Sequence, residues 1–115
     1  MIDVDVWVRG RQDAKTETIV DVDSNAASWT DDDVKQLLEG MLLALDRTNN
    51  PGGTPPEVTL RGFSWIVSPD GGGVLVHLEM QLGTVSAGPF AIDEARLTDM
   101  INRVISGTRV SALVH

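Results

Sequence analysis

The chain has no cysteine in its 115 residues. That removes disulfide staples, thiolate chemistry and cysteine-ligated zinc together, and it fits a cytoplasmic protein. Long apolar runs are lacking too. The richest, residues 37–45, is broken by Glu39 and Gly40 and falls far short of the roughly 20 residues a membrane span needs. No basic start precedes an apolar stretch at the N-terminus, so no secretory signal is expected. Positive charge is scarce, with 9 Lys and Arg against 17 Asp and Glu for a formal net charge of −8. Residues 1–33 hold nine of the acids and only Arg9, Arg11 and Lys15 to oppose them. Such a field repels a phosphate backbone and no basic stripe offsets it, so nucleic acid is excluded as a partner. Basic proteins and cations are what it attracts.

What is present is an ordinary globular composition, 42% hydrophobic, in a length that suits one domain spanning residues 1–115. Residues 74–82 organise the rest. Val74, Val76, Leu78, Met80 and Leu82 fall on one side of a strand, and His77, Glu79 and Gln81 on the other. The preceding Pro69-Asp70-Gly71-Gly72-Gly73 is a reverse-turn signal, which makes this strand the second arm of a hairpin. In the first arm Val58 and Leu60 are even whereas Phe63, Trp65 and Val67 are odd, and a bulge at Gly62 brings all five to one face. A four-residue loop, 69–72, then sets Val67 opposite Val74, Trp65 opposite Val76 and Phe63 opposite Leu78.

Residues 2–9 alternate in the same way, with Ile2, Val4, Val6 and Val8 inward and Asp3, Asp5, Trp7 and Arg9 outward. A second strand over 16–23 places Thr18, Val20 and Val22 on one face and leaves Ile19 out of pattern. The register that unites the valines pairs Arg9 with Glu17, Trp7 with Ile19, Asp5 with Asp21 and Asp3 with Asp23. It gathers four carboxylates at one edge, where opposed like charges are unfavourable.

Two helices follow from spacing and caps. Thr30 caps the first, Asp31, Asp32 and Asp33 occupy its first turn, and Val34, Leu37, Leu38, Met41, Leu42 and Leu45 form its apolar stripe to about Arg47. Asp93 caps the second, Leu97, Met100, Ile101, Val104 and Ile105 form the stripe, and Gly107 stands where a C-cap belongs. Residues 83–89 read as a small-residue connector, and 108–115 alternate as an extra strand or arm. Shifting the first helix by 63 positions superimposes the two stripes, which admits a duplicated β-β-α unit. The expected fold is therefore α+β in two layers: a four-stranded, mostly antiparallel sheet with both helices on one face, in the order β-β-α-β-β-α.

The chemistry-bearing residues are few. His77 and Glu79 share a face about 7 Å apart, so they flank a ligand rather than touch, and their simplest role is a solvent face. Asp3, Asp5, Asp21 and Asp23 are hard-oxygen cation ligands only if the assumed register holds, and they do not follow a calcium-loop pattern. An acidic edge that resists strand-on-strand aggregation, or one that meets a basic partner, accounts for them better. Gly71-Gly72-Gly73 lacks the lysine and the helix of a phosphate loop. No Ser-His-Asp arrangement or dinucleotide fingerprint occurs, and no cofactor or metal is expected. Trp29 serves the first helix start and Trp65 the core. Trp7 lies on a polar face, where an aromatic is a contact anchor unless the tail covers it.

The functional expectation is a non-catalytic protein-interaction or regulatory domain, a homodimer in its first version. Its contact is the outer face with Trp7, His77, Glu79 and Gln81, or the tail strand at 110–114. An acidic inhibitor of a basic protein is the related version. The rival is a small-ligand site or enzyme around His77 and Glu79, with Arg61 or Ser64 alongside.

Overall fold

A computed structural model describes residues 2–19, 22, 23, 25–50, 52, 53, 60 and 62–113, with side chains to Ser106. The elements are β1 (Ile2–Val8), β2 (Lys15–Ile19), a short 3-10 turn (Ala26–Ser28), α1 (Asp31–Asn49), β3 (Ser64–Asp70), β4 (Gly73–Met80), β5 (Gly83–Phe90) and α2 (Glu94–Leu113). The five strands form one antiparallel sheet in the order β2-β1-β5-β4-β3. This is an α+β fold with one strand more than the four expected.

The additional strand is β5, which lies in the centre of the sheet between β1 and β4. Its residues looked like a connector because they are small, yet small residues are what this position requires. A Cβ on Gly83 would run into the Trp7 backbone carbonyl, at a φ of 154° that side chains avoid. Val85, Ala87 and Phe90 point inward and are buried. A one-residue slip between Val74 and Val76 marks a bulge toward the Pro89 end of the strand.

The β3–β4 hairpin keeps the expected faces with a register displaced by two residues. Val67 pairs with Val76, Trp65 with Leu78, and Pro69 with Val74. The loop is the two-residue Gly71-Gly72, both at positive φ (57° and 93°), a backbone whose twist matches the flanking strands. Pro69 is tolerated because β3 is an edge strand. An even displacement preserves side-chain parity, so the inward set survives. The expected strand at 57–63 and its bulge fall mostly outside the described residues; Gly62 itself has a φ of 80°.

In the β1–β2 hairpin the displacement is odd, and it turns β2 over. Ile2 pairs with Ile19, Asp3 with Thr18, and Asp5 with Thr16. Ile19 is therefore buried and Thr18 is outside, the reverse of expectation. Two effects favour this register: a large apolar side chain enters the core under α1, and threonine hydroxyls rather than carboxylates face Asp3 and Asp5. Val20 and Asp21 lie outside the described residues, and Val22 is buried beyond the strand end.

Both helices start where their caps direct. The Thr30 hydroxyl accepts from Asp33 N, and Asp33 Oδ2 accepts from Thr30 N at 2.9 Å, a reciprocal capping box. Asp93 Oδ2 accepts from Arg96 N at 3.0 Å in α2. α2 does not stop at Gly107 but continues to Leu113, so residues 108–113 are helical and not a strand. One glycine inside a helix costs only about 1 kcal/mol, too little to end it unaided.

α1 lies across β1, β2 and β5, and α2 packs on β3 and against α1. Their stripes and the inward strand residues make one core, from Val4, Val6, Val76, Leu78 and Val85 to Leu37, Leu38, Met41, Leu97 and Ile101. Trp29 is buried at the junction, edge-on to Phe90 with ring centroids 4.8 Å apart, and its Nε1 donates to the Asp23 carbonyl at 2.7 Å. Outside the core, Arg103 of α2 holds Asp31 of α1 through two hydrogen bonds of 3.0 and 2.9 Å. Arg96 donates to the carbonyls of Ala27 and Trp29.

Candidate functional site

Because both helices lie on one side, the other face of the sheet stays uncovered among the described residues. The pairing registers arrange it in rows. One row runs Thr16, Asp5, Ser86, His77, Ile66 from β2 to β3. The next runs Trp7, Thr84, Glu79, Ser64. Neighbouring strands are about 4.8 Å apart and rows about 6.7 Å. Six hydroxyl side chains (Thr16, Thr18, Ser64, Ser68, Thr84, Ser86) share the face with four carboxylates (Asp3, Asp5, Asp70, Glu79) and two exposed large apolar groups. Trp7 is 41% exposed and Ile66 62%.

His77 is the most engaged residue on it. Its Nδ1 lies 2.6 Å from Ser86 Oγ on β5, and its Nε2 lies 3.4 Å from Ser68 Oγ on β3. Glu79 is two residues along and does not touch it, as strand spacing requires. A Ser-His contact is the beginning of a nucleophile-base pair, but among the described residues no carboxylate joins it. The second ring nitrogen faces a serine and not a carboxylate, and Asp5 neighbours Ser86 instead of His77. As a central strand β5 is laddered on both sides through residues 83–87, around Ser86.

Asp3 and Asp5 stand opposite Thr18 and Thr16, and not opposite Asp23 and Asp21 as expected. Asp3 accepts from Thr18 Oγ1 at 2.9 Å and Asp5 from Thr16 Oγ1 at 3.1 Å. Asp23 turns to the 3-10 turn, accepting from Asn25 N at 2.9 Å and from Ser28 Oγ at 3.5 Å. Asp21 lies outside the described residues. Among the described residues no group of three or more His, Asp or Glu side chains is placed to hold a metal ion. No described helix is long and apolar enough to cross a membrane.

Trp7 is on the outer face as its parity requires and is exposed. Gln81 has left the strand for the β4–β5 turn, where its carbonyl accepts from Arg9 Nε at 3.0 Å. Of the rival site's accessory residues, Ser64 stands opposite Glu79 rather than His77, and Arg61 is outside the described residues. Ser86, Thr84, Ser68 and Ile66 were not anticipated. The alternation Thr84-Val85-Ser86-Ala87 carried the signal for the first two, masked by flanking glycine and proline.

Much of the positive charge is spent inside the molecule. Arg9, Arg11 and Arg96 donate to backbone carbonyls, while Arg47 and Arg103 pair with Glu17 and Asp31. The Arg103 guanidinium holds the Asp31 carboxyl below its ordinary range.

No protein-family model, curated protein or solved structure matches this chain.

Proposed function

We propose that this chain is a non-catalytic interaction domain that presents the open sheet face to a basic protein and thereby masks or regulates it. The observation that carries the reading is an uncovered face holding a 41%-exposed tryptophan among Asp3, Asp5 and Glu79, in a chain of net charge −8. An aromatic anchor within a polar rim is the usual anatomy of a protein contact, and the negative field speeds encounter with a cationic surface. A homodimer through this face is less favoured, because two copies bring their carboxylates together.

Peptides selected by display on the immobilised chain test this. The expected outcome is a basic consensus whose affinity falls at least about tenfold with Trp7→Ala, as for a buried aromatic anchor. Asp5→Asn on the face should weaken binding more than Asp32→Asn on the helix layer, although both remove one charge. Equal effects of the two, or indifference to Trp7→Ala, would discard the face. Concentration-dependent dimerisation abolished by Trp7→Ala would instead favour self-association.

A further inference from the structure

One corner of the open face forms a shallow, open groove of about 440 Å³, bounded by Arg9, Phe63, Ser64, Glu79, Met80 and Gln81. Resting on the reading of this face as a contact surface, we infer that the groove receives an arginine side chain of the basic partner.

The groove offers different chemistry along its length. Phe63 and Met80 turn their side chains to the core on the helix side and border the groove only at its rim, where an aliphatic stem passes. Glu79 is exposed and makes no hydrogen bond or ion pair among the described residues. Ser64 stands directly opposite it on β3 and supplies a hydroxyl acceptor beside the carboxylate. A planar guanidinium bonds a carboxylate through two N–H groups and has further donors for the hydroxyl; a lysine ammonium lacks that fork. Arg9, the groove's own cation, is held at the turn by its Nε bond to the Gln81 carbonyl. Its remaining N–H groups are suited to a guest backbone carbonyl, so cation and anion serve different parts of the guest.

The experiment is an amide ¹H–¹⁵N titration of the full chain with the blocked tripeptide Gly-Arg-Gly and its Lys, norleucine and Glu counterparts. Shifts should centre on Ser64, Glu79 and Gln81, with affinity in the order Arg, then Lys, then norleucine and Glu. Glu79→Gln should weaken the arginine peptide about two- to fivefold, the effect of one exposed charge pair. It should leave the norleucine peptide unchanged. Equal affinity for the arginine and norleucine peptides, shifts centred elsewhere, or an indifferent Glu79→Gln variant would overturn the assignment. The two readings fail separately. If selected peptides need Trp7 while Gly-Arg-Gly leaves the groove unshifted, the face stands and the groove assignment falls. If Gly-Arg-Gly binds as stated while selected peptides ignore Trp7, the groove stands and the wider face falls.

Discussion

Ser86 Oγ lies 2.6 Å from His77 Nδ1, joining β5 to β4 at the middle of the open face. The contact on the other side of the ring, from Nε2 to Ser68, is longer at 3.4 Å. Ser86→Ala should therefore lower stability by about 1 kcal/mol and Ser68→Ala by less, measured by urea unfolding. Neither serine should react with a fluorophosphonate probe. Stoichiometric labelling of Ser86 would revive the enzyme reading.

The tryptophans should separate cleanly. Trp29 is buried against Phe90 with its indole N–H satisfied, so Trp29→Ala should cost about 3–5 kcal/mol. Trp7→Ala, on the open face, should stay within about 1 kcal/mol of the parent in the same unfolding assay. A large loss at Trp7 would mean that it supports the fold and is no contact anchor.

Gly83 tests the strand that the sequence concealed. Gly83→Ala puts a methyl against the Trp7 carbonyl at a φ of 154°. It should destabilise by about 2 kcal/mol or more and weaken amide-exchange protection along β1 and β5. A neutral Gly83→Ala would contradict the close β1–β5 pairing.

The Asp31–Arg103 pair has a definite pH signature. The arginine, hydrogen-bonded to it, lowers the Asp31 carboxyl from its ordinary value. The folded state therefore binds that proton less readily than the unfolded chain does. Its contribution is present in full above the ordinary carboxylate range and is lost as pH falls through the lowered folded value. Thermal melts of the parent and Asp31→Asn should differ most near neutrality and converge as pH falls through the lowered folded value. A constant difference down to pH 2 would assign the effect to something other than this pair. Both partners are largely exposed, so high salt should shrink the difference.

Much of this was legible in the residues, and the misses have physical causes. Strict alternation placed Trp7, His77 and Glu79 on the outer face, because parity does not depend on knowing the partner strand. Thr30 and Asp93 marked the helix starts through local cap chemistry. Registers were less visible. The β3–β4 pairing slipped by two because an adjacent Asp70-Gly71-Gly72-Gly73 run admits either a two- or a four-residue loop. β2 turned over because the burial of Ile19 and the Asp–Thr pairs outweighed the apparent valine pattern. β5 was lost because strand preference is set by neighbours, and glycine, serine, alanine and proline advertise a loop when read alone. With β5 missing, the serine that fixes His77 had no place.

The position of β5 also sets the order in which the molecule can be completed. Within the sheet, the half containing β1 and β2 and the half containing β3, β4 and β5 meet along a single strand seam, with Trp7 paired to Thr84 and Val4 to Ala87, while α1 bridges the two through β5 and α2. During synthesis β1 must keep one edge unsatisfied until residues some eighty positions later have been made, a non-local closure that slows folding. That seam is also a natural line for dividing the gene. Fragments 1–50 and 62–115, each inert alone, should recover a cooperative unfolding transition only when mixed.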